Sequence, residues 1–142
     1  MTKKISAQIN INATPEKVWS VLTNIHSYPE WNPFITKIEG ILAIGKTIKI
    51  TVRPEGSSTM TFKPTILTYT ENKILLWQGK LLVKGLFDGK HKFELIDNEN
   101  GSTTFIQSEI FTGILVGIFD LTNTEKGFEK MNVALKKRCE NS

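Results

Sequence analysis

The sequence predicts an α+β fold in which a curved, seven-stranded antiparallel sheet wraps around a long C-terminal helix, with two short helices after the first strand. Three patterns support this prediction. The N-terminal residues alternate between apolar and polar, six later runs have strand character and are separated by turn residues, and about the last 25 residues return to helical spacing. A chain of 142 residues corresponds to one domain, which we expect to span residues 1–142.

The first predicted strand covers residues 3–12, where every second side chain is apolar. A helix over about residues 15–24 follows, because Thr14 is a favourable N-cap and Pro15 suits the first helical position. Residues 26–34 contain two prolines and therefore predict a turn with a single helical turn. The alternating apolar residues of the strand are Ile5, Ala7, Ile9 and Ile11.

Six further strands are predicted in the middle of the chain. Short turns connect them, and short turns favour antiparallel pairing over crossover connections. The clearest turn is formed by residues 97–101, which are Asp, Asn, Glu, Asn and Gly. The six predicted strands cover residues 35–39, 47–53, 59–70, 74–80, 86–96 and 102–112.

The C-terminal segment predicts a long amphipathic helix, because its apolar residues recur at spacings of three, four or seven. Gly117 and Gly127 weaken this helix and predict a bend or a close approach to the sheet. A curved sheet that packs against one helix can leave an internal space for a small molecule; the alternative is an interior filled by side chains. The apolar positions are Ile114, Ile118, Leu121, Phe128, Met131 and Leu135.

The composition excludes several classes of protein. The net charge is +4, but only Arg53 and Arg138 are arginines and the lysines are dispersed, so we expect no nucleic-acid partner. Cys139 is the only cysteine, which excludes a disulfide framework and predicts a surface thiol. The longest apolar stretch, residues 110–121, is too short to span a membrane. We expect no integral membrane association.

Location and cofactors follow from motifs that the sequence lacks. The N-terminus has no apolar signal-peptide core, so we expect a cytoplasmic protein. We also expect a monomer or a weak homodimer. A nucleophile elbow, a zinc-binding His-Glu-x-x-His, a phosphate-binding loop and a dinucleotide fingerprint are all missing. We therefore expect no cofactor and no metal site.

Five segments carry a resemblance to a known family, and together they extend over most of the chain. They read ATPEKVW at residues 13–19, YPEWNPF at 28–34, GKHKFEL at 89–95, SEIFTGIL at 108–115 and GFEKMN at 127–132. In this order the sequence resembles the polyketide cyclase/dehydrase branch of the START-like, Bet v 1-like superfamily, also called SRPBCC. The resemblance implies a helix-grip fold around a hydrophobic pocket. Members bind lipids, sterols, hormones or polyketides, and a minority are enzymes.

His91 and Glu109 are the candidate residues for polar chemistry. Strand parity places His91 on the same face as Phe93, and Glu109 on the same face as Gln107. Because residues 97–101 form the turn between the two strands, His91 should lie opposite a residue near 107 to 109 and bond Gln107 or Glu109. Such a pair would orient a ligand or act as general acid and base. The alternatives are a structural histidine, or the opposite parity with both side chains in solvent.

Aromatic side chains are the candidate lining of the pocket. Trp31 and Phe34 lie in the short connector next to the expected cavity mouth, where they would form its rim or anchor the connector to the sheet. The predicted ligand-binding residues are Trp31, Phe34, Phe62, Trp77, Phe87, His91, Phe93, Phe105, Gln107, Glu109, Phe111 and Phe128, and the only catalytic candidates are His91 and Glu109.

These patterns favour the binding or transport of a small hydrophobic molecule, such as a lipid, a polyketide or an aromatic compound, in an internal cavity. One alternative is a polyketide cyclase or dehydratase-like enzyme that uses the same cavity. Another is a protein-interaction module of the co-chaperone type. Binding is favoured over catalysis because only His91 and Glu109 are candidate ionisable groups of the cavity.

Overall fold

The computed structural model describes residues 2–56, 58–80, 88–114, 116–118 and 120–141. Three α-helices and eight strands lie in these ranges. The helices are α1 (Pro15–Thr23), α2 (Tyr28–Trp31) and α3 (Thr122–Glu140), and the strands are β1 (Thr2–Ile11), β2 (Ile35–Glu39), β3 (Lys49–Val52), β4 (Met60–Phe62), β5 (Thr65–Thr70), β6 (Ile74–Lys80), β7 (Asp88–Asp97) and β8 (Thr103–Thr112).

The strands form two antiparallel sheets. One has five strands in the order β1-β8-β7-β6-β5, and the other has three strands in the order β2-β3-β4. Backbone hydrogen bonds between the segment before β3 and the start of β5 connect the two sheets, with Thr47 bridged to Thr65. The architecture confirms the predicted helix-grip arrangement, but the described residues contain eight strands instead of the predicted seven.

The difference in strand number arises at Pro64. The sequence predicts one strand over residues 59–70, whereas the structure contains β4, which pairs with β3, and β5, which pairs with β6. Proline has no backbone N–H to donate to a ladder, so the run is interrupted where the chain passes from one sheet to the other.

The N-terminal predictions are confirmed. In β1, Ile5 and Ile11 are buried. α1 begins at Pro15, and the Thr14 hydroxyl accepts a hydrogen bond from the backbone N–H of Lys17 at 3.2 Å. A 3₁₀ turn at Ile25–Ser27 leads into the single turn of α2.

The C-terminal helix begins later than its apolar spacing predicts. Ile114 is three-quarters exposed and precedes the helix, and α3 starts at Thr122. The Asp120 carboxylate accepts hydrogen bonds from the backbone N–H and the hydroxyl of Thr122, at 2.9 and 2.7 Å, which stabilises the first turn at this position. From there α3 packs against β1, β8 and α1.

Two predictions about α3 have different outcomes. Gly127 does mark a close approach: a Cβ at this position would overlap the ring of Phe34, which precedes β2. Cys139 is buried instead of exposed, and burial raises the pKa of its thiol to about 11. The apolar face of α3 extends to the end of the helix and includes this thiol.

Candidate ligand-binding site

A cavity of about 270 Å³ lies between the two sheets and the start of α3. Its wall is mostly apolar, and the acidic and polar groups are few. The lining residues come from β2 to β4 and their neighbours (Phe34, Ile35, Ile50, Val52, Pro54, Met60, Phe62, Pro64), from β6 to β8 (Trp77, Gly79, Gly89, His91, Glu109, Phe111) and from the start of α3 (Asp120, Leu121, Asn123, Thr124). The structure therefore confirms the expected space between helix and sheet.

The predicted ligand-binding residues occupy four different positions. Phe34, Phe62, Trp77, His91, Glu109 and Phe111 line the cavity. Phe93, Phe105, Gln107 and Phe128 are fully buried and do not line it. Phe87 lies outside the described residues. Trp31 is located elsewhere.

The expectation that Trp31 forms part of the cavity rim is wrong. Its ring packs edge-on against Tyr28 with centroids 5.1 Å apart, and its indole N–H donates to the Ser27 hydroxyl at 3.1 Å. The ring borders a separate depression formed with the C-terminal half of α3. The one-turn helix α2 therefore carries Trp31 toward the end of α3 and away from the cavity.

Phe34 reaches the cavity because of the turn that follows α2. The side-chain oxygen of Asn32 accepts hydrogen bonds from the backbone N–H groups of Phe34 and Ile35, both at 2.9 Å. These bonds direct the chain into β2 and place the Phe34 ring against Phe128, with ring centroids 5.5 Å apart.

His91 and Glu109 are directly opposite each other on β7 and β8. The pairing of these strands follows from the predicted turn, in which Gly101 has a positive φ of 85° that favours glycine. Nδ1 of His91 lies 3.1 Å from Oε1 of Glu109, and Nε2 lies 2.9 Å from Oε1 of Gln107. The sequence left Gln107 and Glu109 as alternatives, and the structure shows both contacts.

The polar contacts continue from Gln107 into α3. Its side-chain amide is 2.9 Å from Oδ1 of Asn132 and 3.5 Å from the backbone carbonyl of Phe128. Gln107 and Asn132 are both buried. We call His91, Glu109, Gln107 and Asn132 the polar chain; it begins at the cavity wall and ends inside the core.

Aromatic rings surround His91. The ring centroids of Trp77, Phe93 and Phe128 lie 5.3, 4.6 and 4.9 Å from that of His91. The imidazole is buried, whereas the Glu109 side chain remains 17% exposed. Glu109 is therefore the end of the polar chain that a molecule in the cavity can reach.

Two small features also shape the site, and the sequence did not predict the second. Gly89 lines the cavity beside Glu109, and a Cβ on it would overlap Oε2 of that carboxylate. Asp120 lies at the exposed end of the cavity, and its hydrogen bonds from Thr122 lower the pKa of its carboxyl group. The Asp-x-Thr pattern at 120–122 is a helix-start signal, but the continuous apolar spacing before it obscured this signal.

The described residues lack two other kinds of feature. No group of three or more His, Cys, Asp or Glu side chains among them is arranged to hold a metal ion. In the same ranges, every helix is too short or too polar to cross a lipid bilayer.

Known structures share this fold at low sequence identity. Ginseng major latex-like protein 151 from Panax ginseng is similar with a TM-score of 0.79 and 15% identity, over 97% of each chain. Norcoclaurine synthase from Thalictrum flavum is similar with a TM-score of 0.73 and 14% identity, over 99% of this chain and 96% of that one. A Streptomyces aromatase/cyclase has a TM-score of 0.72 and 15% identity, over 99% and 95%.

Sequence comparison gives the family directly. No curated protein matches the sequence significantly. The family model described as "Polyketide cyclase / dehydrase and lipid transport" matches residues 2–140. The chain therefore belongs to the polyketide cyclase/dehydrase and lipid transport family.

Proposed function

We propose that the protein binds a small hydrophobic molecule in the cavity between its sheets and the start of α3. The cavity itself is the observation that carries the proposal: a partly open space of about 270 Å³ that is lined by mostly apolar side chains. Protein interiors are normally close-packed. The side chains that line an unfilled space of this size lack contacts that they would make in a packed core. The cavity is close to the lower end of the range for small-molecule sites, about 300 to 1,000 Å³.

The neutral fluorophore N-phenyl-1-naphthylamine tests this proposal, because its emission rises in an apolar environment. We expect it to bind and to quench the fluorescence of Trp77. Trp77 lines the cavity, whereas Trp19 and Trp31 do not. Val52→Phe places extra volume in the cavity and should weaken binding. Val133→Phe makes the same change on an exposed face of α3 and is the matched control.

Circular dichroism establishes that both variants are folded. The proposal is contradicted if the fluorophore gains no emission with the wild-type protein. It is also contradicted if the two valine variants bind the fluorophore equally, because binding would then occur outside the cavity.

The second candidate function is an acid–base reaction on the bound molecule, favoured by the contact between His91 and Glu109 at the cavity wall. An aryl 1,3,5-triketone, which loses water when its ring closes, is a suitable test compound. Enzymatic ring closure should appear as a mass decrease of one water. It should slow by about 100-fold or more in Glu109→Gln. Unchanged triketone after incubation with the wild-type protein contradicts this candidate.

A further inference from the structure

The hydrogen positions along the polar chain follow from one backbone group. The Phe128 carbonyl can only accept, and together with Oδ1 of Asn132 it faces the side-chain amide of Gln107. This orientation directs Oε1 of Gln107 toward Nε2 of His91. Because Oε1 accepts, Nε2 of His91 carries a hydrogen and donates it.

One hydrogen must then lie between Nδ1 of His91 and Oε1 of Glu109. If both Nδ1 and Oε1 lacked a hydrogen, two acceptors would face each other at 3.1 Å. The hydrogen lies on Nδ1, giving imidazolium and carboxylate, or on Oε1, giving neutral imidazole and carboxylic acid. In both forms the second oxygen, Oε2, is an acceptor.

Oε2 is the atom available to a ligand. It lies over Gly89, and both Gly89 and Glu109 line the cavity. Among the described residues, no hydrogen-bond donor contacts Oε2. Both ring nitrogens of His91 are already engaged with Gln107 and Glu109, so His91 itself has no nitrogen to offer to a ligand.

The charges around the cavity disfavour an anionic ligand. Glu109 and Asp120 line it, and the described lining residues include no lysine or arginine. In both forms the His91–Glu109 pair has no net charge, so the described lining keeps the negative charge of Asp120, and a carboxylate ligand in this mostly apolar site would be repelled by it.

We propose that the cavity selects an apolar molecule that carries a hydrogen-bond donor, a hydroxyl or an amine, and that Oε2 of Glu109 accepts this hydrogen bond. The proposal rests on the proposed binding function and specifies the chemistry of its ligand. The class includes phenols, alcohols and amines, and it excludes fatty acids and other carboxylates.

Three naphthalene compounds of similar shape test the selection. 2-Naphthol has a donor, 2-methoxynaphthalene has only an acceptor, and 2-naphthoate is an anion. Titration calorimetry at neutral pH should show 2-naphthol binding about tenfold more tightly than its methyl ether, because a hydrogen bond to a charged or proton-sharing acceptor stabilises by more than an ordinary one. 2-Naphthoate should bind most weakly.

Variants of Glu109 identify the acceptor. Glu109→Leu should remove the difference between 2-naphthol and its ether. Glu94→Leu is the matched control, since Glu94 lies on the opposite face of β7 and should leave the difference unchanged. In Glu109→Gln the introduced amide should donate to Nδ1 of His91 and keep its oxygen toward the cavity. The preference for 2-naphthol over its ether should therefore be smaller than in the wild type but still present.

The outcomes separate this proposal from the binding function. If N-phenyl-1-naphthylamine binds in the cavity but 2-naphthol and its ether bind equally, or 2-naphthoate binds most tightly, the donor selection is wrong and the binding function stands. If the preference for 2-naphthol over its ether persists in Glu109→Leu, the acceptor is not Glu109. A preference that reverses in Glu109→Gln contradicts the hydrogen positions. If no compound of either set binds, both proposals fail.

Discussion

The carboxylate of Glu109 on β8 fills the space that a side chain on Gly89 of β7 would occupy. A Cβ on Gly89 would overlap Oε2 of Glu109, so the missing side chain at this position of β7 leaves room for the carboxylate. From that position the other carboxylate oxygen reaches Nδ1 of His91. The glycine therefore determines where the acceptor of the cavity is located.

Gly89→Ala should displace the Glu109 carboxylate and weaken binding of 2-naphthol to the level of Glu109→Leu, while the protein stays folded because the displaced group is the end of a flexible side chain. Isothermal titration measures the affinity. Gly79→Ala is the matched control, since its Cβ would make ordinary contact with Pro64 at 3.6 Å. Equal affinities in the two alanine variants would contradict the role of Gly89.

Gln107→Leu should lower the free energy of unfolding by about 1 to 3 kcal/mol, because it leaves the Nε2–H of His91 without an acceptor in the core. Urea denaturation measures the change. Gln8→Leu, on an exposed position of β1, should change stability by less than about 0.5 kcal/mol.

The hydrogen on Nε2 of His91 can be observed directly in the wild-type protein. Long-range ¹H–¹⁵N spectra distinguish a protonated from an unprotonated ring nitrogen, and with only two histidines in the chain a His26→Gln variant assigns the signals. We expect Nε2 to be protonated. An unprotonated Nε2 would mean that the Gln107 amide faces His91, opposite to the orientation described above.

Gly127→Ala should destabilise the protein although alanine favours helices. The gain in helix propensity is at most about 1 kcal/mol, whereas the new methyl group overlaps the buried Phe34 ring, and overpacking typically costs about 1 to 3 kcal/mol. Thermal unfolding measures the net loss. In the background of Phe34→Leu the same change should destabilise less; additive effects would contradict this cause.

Acid should selectively remove the contribution of Glu140 to stability. Hydrogen bonds from Lys136 and from the backbone N–H of Asn12 hold the pKa of its carboxyl group below the ordinary 4.5. Because the folded-state pKa is lower than the unfolded one, the stabilisation is complete above the unfolded value and is lost as the pH falls through the folded value.

Urea denaturation of Glu140→Gln should therefore show lower stability than the wild type at pH 7 and a smaller difference at about pH 3. Glu129→Gln, on the same helix, is the control, since Glu129 makes no hydrogen bond or ion pair with the described residues. A difference that is constant with pH would contradict the prediction.

The sequence predicts the polar pair well because its geometry is local. Alternation along two strands and one short turn suffice to place His91 opposite Glu109, and both contacts of His91 follow from that register. Pro64 is a local signal for a break in residues 59–70, but only tertiary pairing shows that the residues before it and after it belong to different sheets. Trp31 fails for a related reason, because nothing local specifies which end of α3 receives α2.

The cavity also depends on contacts that periodicity does not encode. Its wall combines side chains from both sheets with the start of α3, and Gly89 and Asp120 contribute by small size and by a helix-start position. Neither property appears in a pattern of apolar residues. The family resemblance predicted that a pocket exists, and the structure adds which residues surround it.

The two ends of α3 make different contacts: the last turns bind the N-terminal part of the molecule, and the first turn lines the cavity. Its C-terminal part is held to the rest of the molecule by Lys136, which donates to the Asn10 carbonyl at 2.8 Å, and by Glu140, which accepts from the N–H of Asn12 at 2.7 Å. Asn123 and Thr124 of its first turn face the cavity. Substitutions in the first turn should therefore change the cavity without loosening the anchored last turns, so laboratory evolution of new binders would best begin at residues 120–124.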